Sequence, residues 1–566
     1  MYGIKKKVNS KLKIEKNEVH KKSKKAYIIG AIIMLVQIIF FLYWGNAKSN
    51  YYVDELFSME SVRNLTCSEN DGRYITDSSE WEFNKWVSNS EYKKRFILST
   101  DDLIFNYSIP EVIHKFIFER NYNVLLNVFE SAFNLGCISA RPAIIMNIII
   151  LLIAECFLVR LFRKLKMRDF TIYSAMAMFG FSAYIIGMVV YVRFYILVIM
   201  YLMIILNLFY IVWSSSKINS IICSEIGIII LTYLQLKNSE LTVPFFGGVS
   251  LCLLVGLFFR KSWKTVVSYT IIIICGLIYA ITKTPYVAAL LDTNNSNNYD
   301  MTASVANNLR NVSMSYIING INHFVDLFKE DYLCGKIFVI LFILLWVSII
   351  IYENYNKCFC LHDIVTNVKK YRISDEMGFV LVILGTAIFC ILFSAISNLT
   401  LDRYLCFEFC LLTIVIWYLI DRIIKKTIND STIINIGIAI IVCIIAIIPF
   451  KTRNIDNIYE DEKDFIDEVE KYGPIDVVLV SEINDDNTIS LHELYDCVCR
   501  MPDESGIYAI NKDNYLYDNI EYPESFLLWS HEYRDISSVI ENLKEQGYTI
   551  EDLGQNHVSQ AYFCER

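Results

Sequence analysis

The stretch Ala26-Tyr-Ile-Ile-Gly-Ala-Ile-Ile-Met-Leu-Val-Gln-Ile-Ile-Phe-Phe-Leu-Tyr-Trp44 decides how the whole chain is read. It is apolar over the length that a single helix needs to cross about 30 Å of hydrocarbon. A Lys-crowded stretch precedes it (Lys5, Lys6, Lys7, then Lys21, Lys22, Lys24 and Lys25), which predicts a cytoplasmic N-terminus. The apolar run is too long for the core of a cleavable signal peptide, and no small-residue cleavage site follows it, so the segment reads as a retained span. Shortly after it, on the far side of the membrane, comes Tyr51-Tyr52-Val53-Asp54-Glu55-Leu56-Phe57-Ser58. An acidic pair held beside a bilayer suits chemistry on a water-soluble group carried by a lipid.

The rest of the chain repeats the first pattern. Its 566 residues are 55% hydrophobic, and its mean hydropathy is +0.39, well outside the soluble range. Hydropathy predicts about eleven spans of bilayer length. After the first they are Ala143–Phe162, Thr171–Val190, Tyr195–Trp213, Ile221–Leu236, Val243–Phe259, Val266–Ile281, Lys336–Ile351, Gly378–Ile396, Tyr404–Ile420 and Thr432–Ile448. The short basic clusters alternate with these spans so that all fall on the N-terminal side. They are Arg160 to Arg168, Lys217, Arg260 to Lys264, Lys369 to Arg372 and Arg422 to Lys426. An odd number of spans then places the C-terminus outside. The predicted fold is therefore an α-helical polytopic membrane protein, with residues 26–450 in the membrane part and residues 1–25 as a basic cytoplasmic lead.

Three non-membrane regions complete the organisation. The first exported loop, about residues 45–142, mixes Trp81, Trp86, Tyr92 and Phe96 with charges. It also contains the amphipathic stretch Ile109–Phe118, a composition suited to lying along headgroups. The second, about residues 284–335, begins with the Asn-rich run Asp292–Asp300. The tail, residues 451–566, alternates strand and helix signals. Ile475–Ser481, Gly506–Ile510, Ser525–Ser530 and Gln560–Cys564 read as strands, while Ile489–Tyr495 and Ile536–Gln546 read as helices, the second stopping at Gly547. This predicts a small extracytoplasmic α/β domain. It has no Gly-rich phosphate loop and no nucleophile elbow, so an accessory role is expected.

Charge and cysteine usage exclude several classes. The net charge of −8, with the basic residues gathered in cytoplasmic anchors, argues against a nucleic-acid partner. The sixteen cysteines are scattered, and neither Cys358-Phe-Cys360 nor Cys497-Val-Cys499 has a second pair at zinc-ligand spacing. A disulfide between exported cysteines is left unassigned. High Ile, Asn and Lys usage points to an AT-rich bacterial genome and a bacterial cell membrane.

Charged residues at membrane depth are costly and mark candidate sites. Arg193 stands in the exported turn Tyr191-Val-Arg-Phe-Tyr195, and Arg403 in Asp402-Arg-Tyr404 at the exported start of a late span. Both share a membrane side with Asp54 and Glu55. A polyprenyl phosphate holds its phosphate at headgroup level, and arginine offers it a planar, always-charged fork. Lys237, Asn238 and Glu240 lie on the same face, Glu240 as a candidate second acid or metal ligand. His114 and His323 have no partner at helical spacing and read as surface or structural residues.

These residues meet a family. An N-terminal span followed by Tyr-x-x-Asp-Glu, an exported Tyr-x-Arg-x-Tyr turn and a late Asp-Arg-Tyr resemble the GT-C membrane glycosyltransferases. The nearest group is the glycosyltransferase family 39-like enzymes, which include protein O-mannosyltransferases and lipid A aminoarabinose transferase. Phe133 to Gly136 followed by Ala140-Arg141-Pro142 is similar to the Phe-Gly…Ala-x-Arg-Leu-Pro pattern of bacterial members. The resemblance spans roughly Ala26 to Phe450 and rests on the order and sidedness of short motifs. It implies that Asp54 is the catalytic base and that Glu55 assists by hydrogen bonding or by orienting it. Arg193 and Arg403 would hold the phosphate of the donor, a polyprenyl-phosphate-linked sugar; Tyr195, Tyr404 and Glu240 are the further candidate substrate-binding residues. The acceptor would be a cell-envelope glycan, lipid or protein.

The chain also departs from the family. Where many bacterial members carry His-Pro-Pro before the second span, it reads Glu119 to Asn123. Where they carry His-Tyr after the fifth, it reads Gln235 to Glu240. The missing histidines count against carrying over a metal role or the substrate's identity; no cofactor is certain, and a divalent metal is the one considered. A transporter or flippase for lipid-linked glycans is the alternative. Such proteins show inverted repeats and Gly- or Pro-broken spans; this chain has no internal repeat and very little Pro within its spans.

Overall fold

The computed structural model describes residues 27–66, 85–100, 103–133, 136–239, 241–283, 308, 313–332, 374–397, 399, 401–427, 432–452, 455–481, 491–511 and 521–566. Glu240, the expected span 336–351, the Asn-rich run and Cys358 with Cys360 lie outside them. Among the described residues, seven helices are long and apolar enough to cross a membrane. They are Tyr27–Ala47, Arg141–Lys164, Tyr195–Ser214, Ile218–Asn238, Thr242–Phe259, Asp375–Ser397 and Asp402–Lys425. An eighth is formed if the pair Asp169–Gly180 and Ala183–Val190, bent by 53°, counts as one span. The chain is thus a multi-pass membrane protein, mostly helical, with a small C-terminal sheet domain. The expected spans at residues 266–281 and 432–448 lie within the helices Trp263–Lys283 and Thr432–Thr452, each of 21 residues.

The chain divides into two compact units: residues 1–41, 148–189 and 194–455 in one, and residues 42–147, 190–193 and 456–566 in the other. The first is the helical membrane unit. With apolar side chains facing both lipid and core, its helices associate through close packing and a few polar contacts rather than through hydrophobic burial. Trp213 shows this: a Cβ added at either Gly256 or Gly378 would come within 2.7 Å of its indole. Its Nε1 donates to the Asp375 carbonyl at 2.8 Å. Arg260 pairs with Asp375 at 3.0 Å, and Arg168 with the buried Asp421 at 3.1 Å.

The second unit contains a six-stranded sheet. Its strands are β1 Trp86–Ser88, β2 Val477–Ser481, β3 Gly506–Asn511, β4 Ser525–His531, β5 Thr549–Gln555 and β6 Ser559–Glu565, in the order β1-β3-β2-β4-β6-β5. The β2 strand runs parallel to β3 and β4 and is buried along its whole length, as befits a central strand with both faces covered. Against one face, Val539 and Leu543 of helix Ser537–Glu545 pack on Val478, Val480, Phe526 and Leu528. Gly547 ends that helix region with φ +96°, a conformation that a side chain would strain.

Strands β2, β3, β4 and β6 match the sequence expectation. Strand β5 does not appear in it, because this edge strand is mostly exposed and carries little apolar alternation. Strand β1 comes from the loop of residues 45–142 and pairs antiparallel with β3, Val87 opposite Ile507. The same loop supplies helix Ile109–Phe118, none of whose residues is buried.

Candidate active site

The acid pair opens helix Val53–Asn64. Carboxylates in a first turn face the positive end of the helix dipole and its unpaired N–H groups. Glu55, at the third helical position, uses this directly: its Oε2 accepts the Tyr52 N–H at 2.8 Å. The same oxygen meets Lys48 Nζ at 3.0 Å, with both side chains almost fully enclosed. Oε1 accepts the Val192 N–H at 2.8 Å. Burial pushes the Glu55 carboxyl above its ordinary range, opposed by Lys48 and the two backbone donors. Burial likewise pushes the Lys48 ammonium down, with Glu55 pulling back.

Asp54, one residue earlier, faces a different environment. Its Oδ1 lies 3.0 Å from Arg193 Nη2, with the aspartate side chain 23% and the arginine 16% exposed. The Tyr191 hydroxyl donates to Oδ2 at 3.3 Å. Arg193 Nη1 donates to Ser58 Oγ at 3.1 Å, and Ser58 is four residues, one helical turn, beyond Asp54. Arg193 therefore reaches two successive positions on one face of the acid helix.

The turn that carries Arg193 is held on several sides. Arg193 N–H closes it on the Tyr191 carbonyl at 2.8 Å, and Asn147 Nδ2 donates to that carbonyl at 3.0 Å. Glu55 holds its middle residue, Val192. The two acids thus divide the work: Glu55 fixes the turn, and Asp54 meets the guanidinium that the turn presents.

Residues of the tail complete the frame. Lys48 Nζ donates to the Asn457 carbonyl at 2.6 Å, and Ser49 N–H to the Ile458 carbonyl at 2.9 Å. Asn50 and His557 Nδ1 both bond Glu462. The His557 ring stacks on Tyr459 at 4.7 Å and on Tyr52 at 5.5 Å. Farther along the helix, the Tyr495 hydroxyl donates to Glu60 at 2.7 Å. The sequence reading missed Lys48, Tyr191, Ser58 and these tail residues. Ser58, one turn from Asp54, had a signal that spacing could have found, and Tyr191 stood in the Tyr-x-Arg-x-Tyr motif already noted.

The other expected residues belong to the membrane unit. Arg403 and Tyr404 lie in the short 3-10 turn Asp402–Leu405, with the Arg403 guanidinium 5.4 Å from the Tyr404 ring. Asp402 pairs with His323 at 3.1 Å, a contact across distant segments that helical spacing could not reveal. The Tyr184 hydroxyl donates to the Asp402 carbonyl at 3.0 Å. Tyr195 is buried at the start of its helix beside Phe194. His114, which belongs to the second unit, has its ring 4.5 Å from that of Phe118, the planes tilted at 36°. Among the described residues, no three His, Cys, Asp or Glu side chains gather as a metal site.

No protein-family model matches the sequence, and no curated protein matches it. The solved structures similar to the chain include two of ArnT. One is ArnT from Cupriavidus metallidurans bound to undecaprenyl phosphate, at 11% identity and a TM-score of 0.47. The other is ArnT from Cupriavidus metallidurans in the apo state, at 10% identity and a TM-score of 0.44. Each match covers 94% of this chain and 97% of the other.

Proposed function

We propose that this protein is an integral membrane glycosyltransferase. It moves a sugar from a polyprenyl-phosphate donor to a cell-envelope acceptor on the outer side of the membrane. The observation that carries the reading is the half-open Asp54–Arg193 pair, a carboxylate and a guanidinium held 3.0 Å apart on a fixed turn. Asp54 takes the proton of the acceptor hydroxyl or amine as that group attacks the sugar's anomeric carbon. The bond from that carbon to the phosphate oxygen breaks, and polyprenyl phosphate leaves. Arg193, and Arg403 from the membrane unit, meet the charge of the departing phosphate. An arriving phosphate competes for Arg193, which loosens its hold on Asp54 and frees the carboxylate to act as base. The Tyr191 hydroxyl keeps the carboxylate oriented while this exchange takes place. Tyr195, Tyr404 and Glu240 are assigned to the donor's surroundings.

The test uses the full chain in sealed proteoliposomes with a polyprenyl-phosphate sugar labelled in the sugar, and envelope extract as acceptor source. Release of unlabelled polyprenyl phosphate, lost in Asp54→Asn, is the expected result. Label that crosses sealed vesicles with its phosphate linkage intact, equally in wild type and Asp54→Asn, means a transporter instead.

A further inference from the structure

The membrane unit contains a basic-mouthed groove at the opposite end of its spans from the Asp402–Tyr404 turn. Helices Tyr27–Ala47, Arg141–Lys164 and Asp169–Gly180 enclose a groove of about 600 Å³. That lies within the roughly 300–1,000 Å³ typical of ligand sites. Its floor is apolar, with Ala31, Met34, Val159 and Met176 among the lining residues. Its mouth carries Arg160, Arg163 and Lys164.

The mouth is organised as well as charged. Arg163 Nη1 donates to the Tyr27 hydroxyl at 2.8 Å and Nη2 to the Tyr173 hydroxyl at 2.9 Å. The Tyr27 ring lies 4.4 Å from the same guanidinium. A Cβ at Gly30 would come within 2.5 Å of the Tyr173 ring, so the glycine lets that ring lie against the first helix. Lys164 Nζ donates to the Asn207 carbonyl at 3.0 Å, and Arg160 is exposed one turn before Arg163. Every hydrogen-bond partner named here is neutral. Asp169 is within electrostatic range of Tyr173, yet no acidic side chain among the described residues forms an ion pair with any of the three cations. Three positive charges above an apolar groove complement a molecule with an anionic head and a hydrocarbon tail. Basic pockets between membrane helices hold anionic lipid head groups on this principle.

We infer that this groove binds an anionic phospholipid, whose phosphate meets Arg160 and Arg163 and whose acyl chain lies along Met34 and Val159. The positive-inside pattern puts the site in the cytoplasmic leaflet. Arg163, fixed by two tyrosines, presents its fork with little further ordering. Arg160 and Lys164 supply the remaining field.

The test uses the full chain in neutral detergent, titrated with phosphatidylglycerol or with phosphatidylcholine of the same acyl chains. Melting temperature and lipid retained in native mass spectrometry are read together. Phosphatidylglycerol should raise Tm saturably and stay bound, and phosphatidylcholine should do neither. Arg160→Gln, an exposed change that spares the fold, should raise the half-saturating lipid concentration about fivefold. Met34→Trp keeps the charges but fills the groove, and should weaken retention similarly. Lys264→Gln, an exposed cation outside the groove, should change nothing. Equal response to the two lipids, an unchanged titration in Arg160→Gln, or an equal loss in Lys264→Gln each overturns the site in favour of diffuse surface charge. Polyprenyl phosphate displacing phosphatidylglycerol at lower concentration than phosphatidylglycerol itself would assign the groove to the donor's lipid and also overturn it.

Discussion

Asp54 and Glu55 are neighbours in the chain, yet they anchor two different ion pairs. The Glu55–Lys48 pair is sealed, with side chains 0% and 3% exposed. The Asp54–Arg193 pair is left open to solvent on one side. Adjacent helical positions point about 100° apart, so one carboxylate turns into the protein and the other toward the part-exposed Arg193. A sealed charge needs all its partners in place and can exchange none of them. A half-open charge can trade its partner for a ligand. The difference separates a carboxylate that builds the site from one able to work in it.

The sharpest way to break this comparison is Asp54→Asn. The substitution keeps shape, removes the base and alters a part-exposed side chain. Transfer should fall about 10²–10⁴-fold, with Tm nearly unchanged. Near-normal turnover would hand the base role to another acid and leave the openness of Asp54 without meaning.

Glu55→Gln should invert that pattern. It strips the sealed Lys48 of its counter-charge, a change that typically costs about 3–5 kcal/mol. Thermal unfolding should show a large drop in Tm, and Lys48→Met in the same chain should recover part of it. If Glu55→Gln instead left stability intact and abolished turnover, Glu55 would be a working acid and the division between the two pairs would fail.

Arg193→Lys retains charge but loses the fork that reaches Asp54 and Ser58 together. Donor use should weaken about tenfold to a hundredfold, from the roughly 1.5–3 kcal/mol carried by a charged hydrogen bond. Arg403→Lys should act in the same direction. Transfer rate against donor concentration is the measurement, and an unchanged donor dependence in both variants would reduce these arginines to headgroup anchors.

Glu130 sharpens the comparison from another direction, with the smallest expected effect. It lines a narrow cleft with Met59 and Pro142, has no ion-pair partner among the described residues, and burial pushes its carboxyl up to about 8. The folded value lies above the unfolded value of 4.5, so the folded state holds this proton more tightly. Stability from this group is complete below about pH 4.5 and is lost as pH rises toward about 8. Glu130→Gln should flatten the corresponding fall in Tm across that window. A pH–stability profile identical to wild type would show that this carboxyl is hydrated, and that enclosure alone does not set the behaviour of these acids.

Much of the fold was legible because membrane spans and central strands carry strong local signals. The apolar runs at residues 195–213 and 378–396 needed only their length to be read as spans. The strand Val477–Ser481 was readable because burial on both faces demands a continuous apolar run. The exposed edge strand Thr549–Gln555 was not, since little of it is buried and no pattern is imposed on it. The short strand Trp86–Ser88 was hidden for a further reason. It acquires its structure from Gly506–Ile507–Tyr508, more than four hundred residues away, as the register Val87 opposite Ile507 records.

By itself, the amino-acid sequence determined that the chain crosses a membrane many times, that its tail alternates strand and helix, and that Asp54, Glu55 and Arg193 are candidates worth testing. These follow from local composition and from the cost of placing charge in or beside hydrocarbon. Only the tertiary structure decided which acid meets Arg193 and which is locked to Lys48, and that Val192, Asn457 and His557 frame the pair. Those contacts join segments separated by up to several hundred residues. Their distances depend on backbone geometry and packing that no local pattern encodes, and burial, the property that distinguishes the two carboxylates, exists only once the chain has folded around them.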